Sequence, residues 1–109
     1  MIRKHIFKAN RGEGKTKWLV NKALDAIDNN IEPIYVGSRE GYDNFCRVYE
    51  GFTNHKCKVS YHHAENPLYP NISHCLLTDE LMYELHCIPY IGPACQGDWY
   101  ITMGSEDFI

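Results

Sequence analysis

The sequence predicts an α/β domain: a minimal five-stranded, mostly parallel sheet with flanking helices on both faces. Three observations carry that expectation. Short apolar runs alternate with stretches of helical periodicity, the pattern of successive βα units. A glycine-containing turn, Ala9 to Gly14, separates the first such pair. The 109 residues contain no repeat and no low-complexity segment, and their length suits one domain spanning residues 1–109. Hydrophobic content of 44% is that of a folded globular chain.

Each element follows in order. Ile2 to Lys8 reads as a first strand. From Lys15 to about Asp28, Leu19, Ala23, Ala26 and Ile27 recur at helical spacing, and Val20 and Leu24 widen the stripe. Asn29-Asn30 is a suitable stop, because asparagine tolerates the left-handed conformation that often ends a helix. Ile34-Tyr35-Val36 is a second strand, entered past Pro33 and left at Gly37. Ser38 is an N-cap for a second helix, with Tyr42, Phe45, Cys46 and Tyr49 on one face and Gly51 as its expected end. Cys57, Val59 and Tyr61 alternate as a third strand. Asn66 to Asn71 holds two prolines and reads as a loop. Cys75 to Thr78 is a fourth strand ending on Asp79-Glu80, followed by a short helix through Leu81, Met82 and Leu85. Ile88 to Gly97 is a loop, and Trp99 to Met103 a fifth strand.

Two motifs carry chemistry. The first is Ala9-Asn10-Arg11-Gly12-Glu13-Gly14-Lys15-Thr16, which matches the phosphate-binding pattern G-x-x-x-x-G-K-[ST] except that Ala9 stands at the first glycine. Between a strand and a helix, successive backbone N–H groups form an anion nest and the helix presents its positive end. Asn10, Arg11, Gly12, Glu13, Gly14, Lys15, Thr16 and Lys17 are the expected nucleotide-binding residues. Lys15 would reach the β- and γ-phosphates, and the Thr16 hydroxyl would ligate Mg²⁺. Ala9 costs about 1–2 kcal/mol if its φ must be positive, and nothing otherwise. The second motif is His74-Cys75-Leu76-Leu77-Thr78-Asp79-Glu80, an apolar strand ending in two acids.

With both motifs in place the chain resembles the P-loop NTPase superfamily, in the branch that carries an additional catalytic glutamate. The resemblance covers the first strand through the Asp-Glu strand, and more loosely the fifth. It implies that Asp79 holds the Mg²⁺ shell with Thr16, that Glu80 orients the attacking water, and that Lys15 assists phosphoryl transfer. It also implies a polar sensor on the following strand, for which Thr102 and Ser105 are candidates. An arginine finger would have to come from Arg3, Arg11, Arg39 or Arg47. The compact size and the R-G-E-G-K-T loop look like small bacteriophage ATPases and the ATPase core of packaging terminases. No Asn-Lys-x-Asp guanine motif is present, so ATP is the expected nucleotide.

The expected function is therefore Mg²⁺-dependent ATP binding and hydrolysis, acting with a protein partner or as a homo-oligomer. One alternative is a small nucleoside or nucleotide kinase, with Glu80 as base towards a hydroxyl; the lids that build acceptor pockets are missing. Another is a non-enzymatic P-loop binding module whose nucleotide binding is vestigial or regulatory.

Other classes are disfavoured. Fourteen acids outnumber eleven Lys and Arg, for a formal net charge of −3, so self-sufficient DNA binding is a poor expectation despite the basic first seventeen residues. No run approaches the roughly 18 apolar residues of a membrane span, and the N-terminus lacks the apolar core of a signal peptide. Five cysteines without a C-x-x-C pair suit reduced thiols in a cytoplasm, the host's if the chain is phage-encoded. Cys57, His62, His63, His74, Cys75, His86, Cys87 and Cys95 invite a zinc reading, but adjacent pairs point to opposite faces of a strand and make poor chelates. Most of the aromatic residues fall at core periodicities; Tyr69 and Tyr90, in loops, are the exceptions.

Overall fold

A computed structural model describes residues 2–10, 12–63, 73–79 and 96–104. Within them the chain runs β1 (Ile2–Ala9), α1 (Lys15–Asp28), β2 (Pro33–Gly37), α2 (Arg39–Thr53), β3 (Ser60–His63), β4 (Ser73–Thr78) and β5 (Gln96–Gly104). The strands form one sheet in the order β1-β5-β4-β2-β3, and every pairing is parallel. The α/β class and the five strands agree with expectation, and the sheet is wholly parallel where a mostly parallel one was expected. The expected short helix at Leu81, Met82 and Leu85 lies outside the described residues.

Period-two alternation sorts the strand side chains onto two faces. On one, Tyr35, Cys75 and Leu77 meet Leu19, Val20, Ala23 and Ala26 of α1 and Phe45 and Tyr49 of α2. On the other, Ile34, Val36, Leu76, Trp99, Ile101 and Met103 form a second buried cluster. Both described helices pack on the first face, so cover for the second is not among the described residues. All of β2 is buried, as a central parallel strand requires.

Local signals account for the boundaries. Ser38 caps α2 by accepting from the Gly41 N–H at 3.1 Å, as expected. The first helix ends where the sequence said, with Asn30 at φ 58°. The second does not stop at Gly51. It runs on to Thr53, and Asn54 takes the left-handed conformation at φ 59°, its N–H bonding Glu50 O at 2.9 Å. The third strand also starts later than the Cys57, Val59, Tyr61 alternation suggests. Side chains of α2 claim that backbone first: Cys57 N–H donates to Glu50 Oε2 at 3.1 Å, and Val59 O accepts from Tyr42 OH at 2.7 Å.

Because all strands run the same way, their C-terminal ends share one edge of the sheet. Ala9, Gly37, Thr78 and Gly104 therefore open their loops in the same direction. The strand that comes last in this order, β5, sits between β1 and β4.

Candidate functional site

The loop from Asn10 to Gly14 joins β1 to α1 at that edge. It turns tightly: Glu13 N–H donates to Asn10 O at 3.1 Å, and the Glu13 carboxylate accepts from the Asn10 N–H. Gly12 and Gly14 hold φ of 83° and 87°, where a side chain is disfavoured. A Cβ built on either would meet no atom within 4 Å, so both glycines face open space. Ala9 is the last residue of β1, paired with Gly104, and is not among the positive-φ residues. An alanine there is consequently unstrained.

The start of α1 differs from that of α2. No side chain caps α1 at Gly14, and its first turn holds no acid, whereas α2 has the Ser38 cap and Glu40. The first turn of α1 therefore has neither a side-chain cap nor an acid of its own to occupy its N–H groups.

Thr16, in that first turn, donates its hydroxyl to Asp79 Oδ2 at 2.6 Å across 63 residues of sequence. Thr102, on β5, donates to Asp79 Oδ1. The topology explains this convergence, since β5 separates the strand leading to Asp79 from the strand leading to the glycine loop. Asp79 and Lys15 are each 7% exposed, and Thr102 is fully buried. Lys15 is thus more enclosed than a residue reaching into solvent, and it has interaction partners within the fold.

Sequence reasoning missed the groups that hold Asp79 from behind. Tyr35, in mid-strand of β2, offers its hydroxyl oxygen to the Asp79 N–H at 3.4 Å. On the opposite face, Trp99 Nε1 donates to Thr78 Oγ1 at 2.9 Å, and Thr78 Oγ1 donates to Val36 O at 2.8 Å. This chain ties the end of β4 to both neighbouring strands. The only advance signal was a hydroxyl or indole in an otherwise apolar strand.

Glu80, Arg11, Ser105, Tyr69, Tyr90, His86, Cys87 and Cys95 lie outside the described residues. Arg39 is exposed, its Nε 3.1 Å from Asp43 Oδ1 and its guanidinium over the rings of Tyr42 and Tyr61. Arg3 Nε pairs with Asp98 Oδ1 at 3.0 Å, far down β1 from the loop. Among the described residues, no three His, Cys, Asp or Glu side chains cluster as a metal site. Burial pushes the Cys57 and Cys75 thiols up to about 12, as befits core residues.

A cavity of about 420 Å³ opens at the opposite end of the sheet, beside Arg3, Lys22, Asp25, Cys75, Asp98 and Tyr100. Partial burial works to raise the Asp98 pKa, but hydrogen bonds from His5 and Arg3 outweigh it and hold the carboxyl below its ordinary range. These charges satisfy one another, and the cavity is separate from the glycine loop.

No helix among the described residues is long and apolar enough to cross a membrane. No family model, curated protein or solved structure matches the chain.

Proposed function

We propose that this chain binds ATP with Mg²⁺ at the glycine loop and hydrolyses it, as a small member of the P-loop NTPase superfamily acting with a protein partner or as a homo-oligomer. One observation carries the reading: Thr16, in the loop motif, and Asp79, in the acidic motif, meet at 2.6 Å although 63 residues apart. Two motifs of independent sequence origin converge on the same few ångströms, at the strand ends where parallel α/β sheets take ligands.

The residues fit the groups the reading requires. The open space over Gly12 and Gly14 is where backbone can approach a phosphate, and the uncapped helix start supplies N–H groups towards it. Thr16 and Asp79 are oxygen donors of the hard kind that Mg²⁺ takes alongside phosphate oxygens. The Thr16 hydroxyl donates its hydrogen bond to Asp79, which leaves its oxygen lone pairs for a cation. Bound Mg²⁺ would neutralise charge developing on the transferred phosphoryl group.

The chain's own groups then divide the work. Lys15 contributes a fixed positive charge at the first turn of α1. Asp79, held by Thr16, Thr102 and Tyr35, presents a carboxylate whose position is set before any ligand arrives. Thr102 ties β5 to that carboxylate. Glu80, next along the chain, is the residue proposed to orient and polarise the attacking water.

The test measures ATP affinity and phosphate release together. Lys15→Ala is expected to abolish Mg-ATP binding; unchanged affinity removes the reading. Glu80→Gln is expected to bind Mg-ATP as the parent does while hydrolysis falls roughly 10²–10⁴-fold. Label appearing on a nucleoside or nucleotide acceptor would assign a kinase instead. Binding without turnover, alone or with a partner, would assign a binding module.

A further inference from the structure

We propose that Cys46 and Cys57 are a reversible redox pair, oxidised by a low-molecular-weight disulfide to an internal bridge that locks the approach to β3 onto α2. The pair lies on α2 and the chain just beyond it, and does not depend on the nucleotide reading.

Helical spacing sets Tyr42, Cys46 and Glu50 one turn apart on a single ridge of α2. Past α2 the chain turns at Asn54, and its return along that ridge is pinned at two places. Near one end the Cys57 N–H donates to Glu50 Oε2 at 3.1 Å, and near the other the Tyr42 hydroxyl donates to Val59 O at 2.7 Å. Cys46 stands midway between these anchors, so the returning chain passes it. The Cys46 and Cys57 thiols lie within hydrogen-bonding reach of each other. Both residues are half-buried. Cys75 differs: it is 4% exposed on β4, with its thiol directed at Lys22 O, 3.9 Å away. The chain neighbours of the pair supply positive charge, since Arg47, Lys56 and Lys58 are all exposed. Exposed cations attract an anionic reagent, and glutathione disulfide is one.

The exchange takes two steps. Cys46, as thiolate, attacks one sulfur of the reagent; the reagent's S–S bond breaks, a mixed disulfide forms on Cys46, and the first small thiol leaves with the proton that Cys46 gave up. Cys57 then attacks the Cys46 sulfur, the bond to the reagent half breaks, and the second small thiol leaves with the Cys57 proton. Two protein thiols are oxidised and one external disulfide is reduced to two thiols; an excess of small thiol drives the same steps backwards. Burial decides the order of attack. It pushes the Cys57 thiol up to about 12, which makes Cys57 the slower nucleophile towards an external reagent. Its place against Cys46 makes its own attack intramolecular, so no second encounter is needed. The product replaces a pair of hydrogen-bond anchors with a covalent one. Closing that short loop restricts the opening of the chain between α2 and β3.

The experiment treats the full chain with excess glutathione disulfide, alkylates the remaining thiols and maps tryptic peptides by mass spectrometry. Amide hydrogen exchange is followed across residues 51–59. A peptide of residues 40–47 joined to one holding Cys57 is expected, and dithiothreitol should separate them again. Exchange across residues 51–59 should slow by about tenfold in the bridged chain. Cys57→Ser is expected to halt at the glutathione adduct on Cys46. An unmodified pair, or glutathione on Cys46 of the parent beside a free Cys57, overturns the proposal. So does a bridge between these two cysteines that forms only in urea, or one that leaves exchange unchanged. Oxidation that joins either of them to Cys75, Cys87 or Cys95 in preference also overturns it. The peptide map of the parent chain decides the matter even if the variant does not fold.

Discussion

Asp79 accepts hydroxyl hydrogen bonds on both carboxylate oxygens, from Thr16 and Thr102, while its N–H leans on Tyr35. Removing the fully buried Thr102 hydroxyl with Thr102→Val keeps the shape but strips one partner from a buried oxygen. That should cost about 1–3 kcal/mol in urea unfolding, with Mg²⁺ affinity altered in the presence of ATP. A variant as stable as the parent would mean that Asp79 does not rely on β5. The Cys75 thiol makes a second residue-scale expectation. Burial raises its pKa from the ordinary 9.0 to about 12, so the fold favours the protonated form. Its contribution is complete below pH 9 and is lost as pH rises from there towards 12. Thermal melts between those limits should fall, and Cys75→Ala should flatten the decline. Of these residues, Thr16 and Asp79 stood out in the sequence because each holds a recognisable place in a motif, and Thr102 was one of two sensor candidates, with Ser105, that the resemblance implied. Tyr35 was not, because its partner is 44 residues away and nothing local distinguishes it from a core tyrosine.

At the scale of elements, the turn into α1 depends on two glycines with positive φ and not on the residue at the first position of the motif. Gly14→Ala should cost about 1–2 kcal/mol from backbone conformation alone, although open space would receive its methyl group. Ala9→Gly, at the unstrained end of β1, should leave nucleotide affinity unchanged and cost roughly 0.5–1 kcal/mol of stability through added chain freedom. Denaturant midpoints and calorimetric titration of the two variants separate these effects. A large loss of affinity in Ala9→Gly would show that the loop relies on the Ala9 side chain. Helix starts and stripes were readable because caps and periodicity are local. The end of α2 and the start of β3 were not, because Glu50 and Tyr42 reach from the helix to the chain beyond it. Contacts of that kind override a glycine and an alternation pattern.

For the molecule as a whole, the class of fold was legible and the order of strands was not. Alternating apolar runs announce parallel strands, but no pattern in residues 96–104 marks them as the strand that separates β1 from β4. That position makes β5 the keystone of the sheet: it pairs with β1 along eight residues and with β4 along six. Deleting residues 96–109 should therefore unfold the sheet rather than trim it, visible as loss of cooperative melting and of near-ultraviolet circular dichroism. A deletion that still melts cooperatively would show that β1 and β4 can close on each other.

The same insertion bears on how the protein comes into being. A ribosome releases β1, α1, β2, α2, β3 and β4 before β5, so during synthesis the nascent chain has two groups of strands with a gap between them. Thr16 and Asp79 can have no fixed separation while that gap is open. The candidate site therefore assembles only when the last of these strands slides into place, and any chaperone or competing strand that occupies the gap first would keep Thr16 and Asp79 apart without touching either.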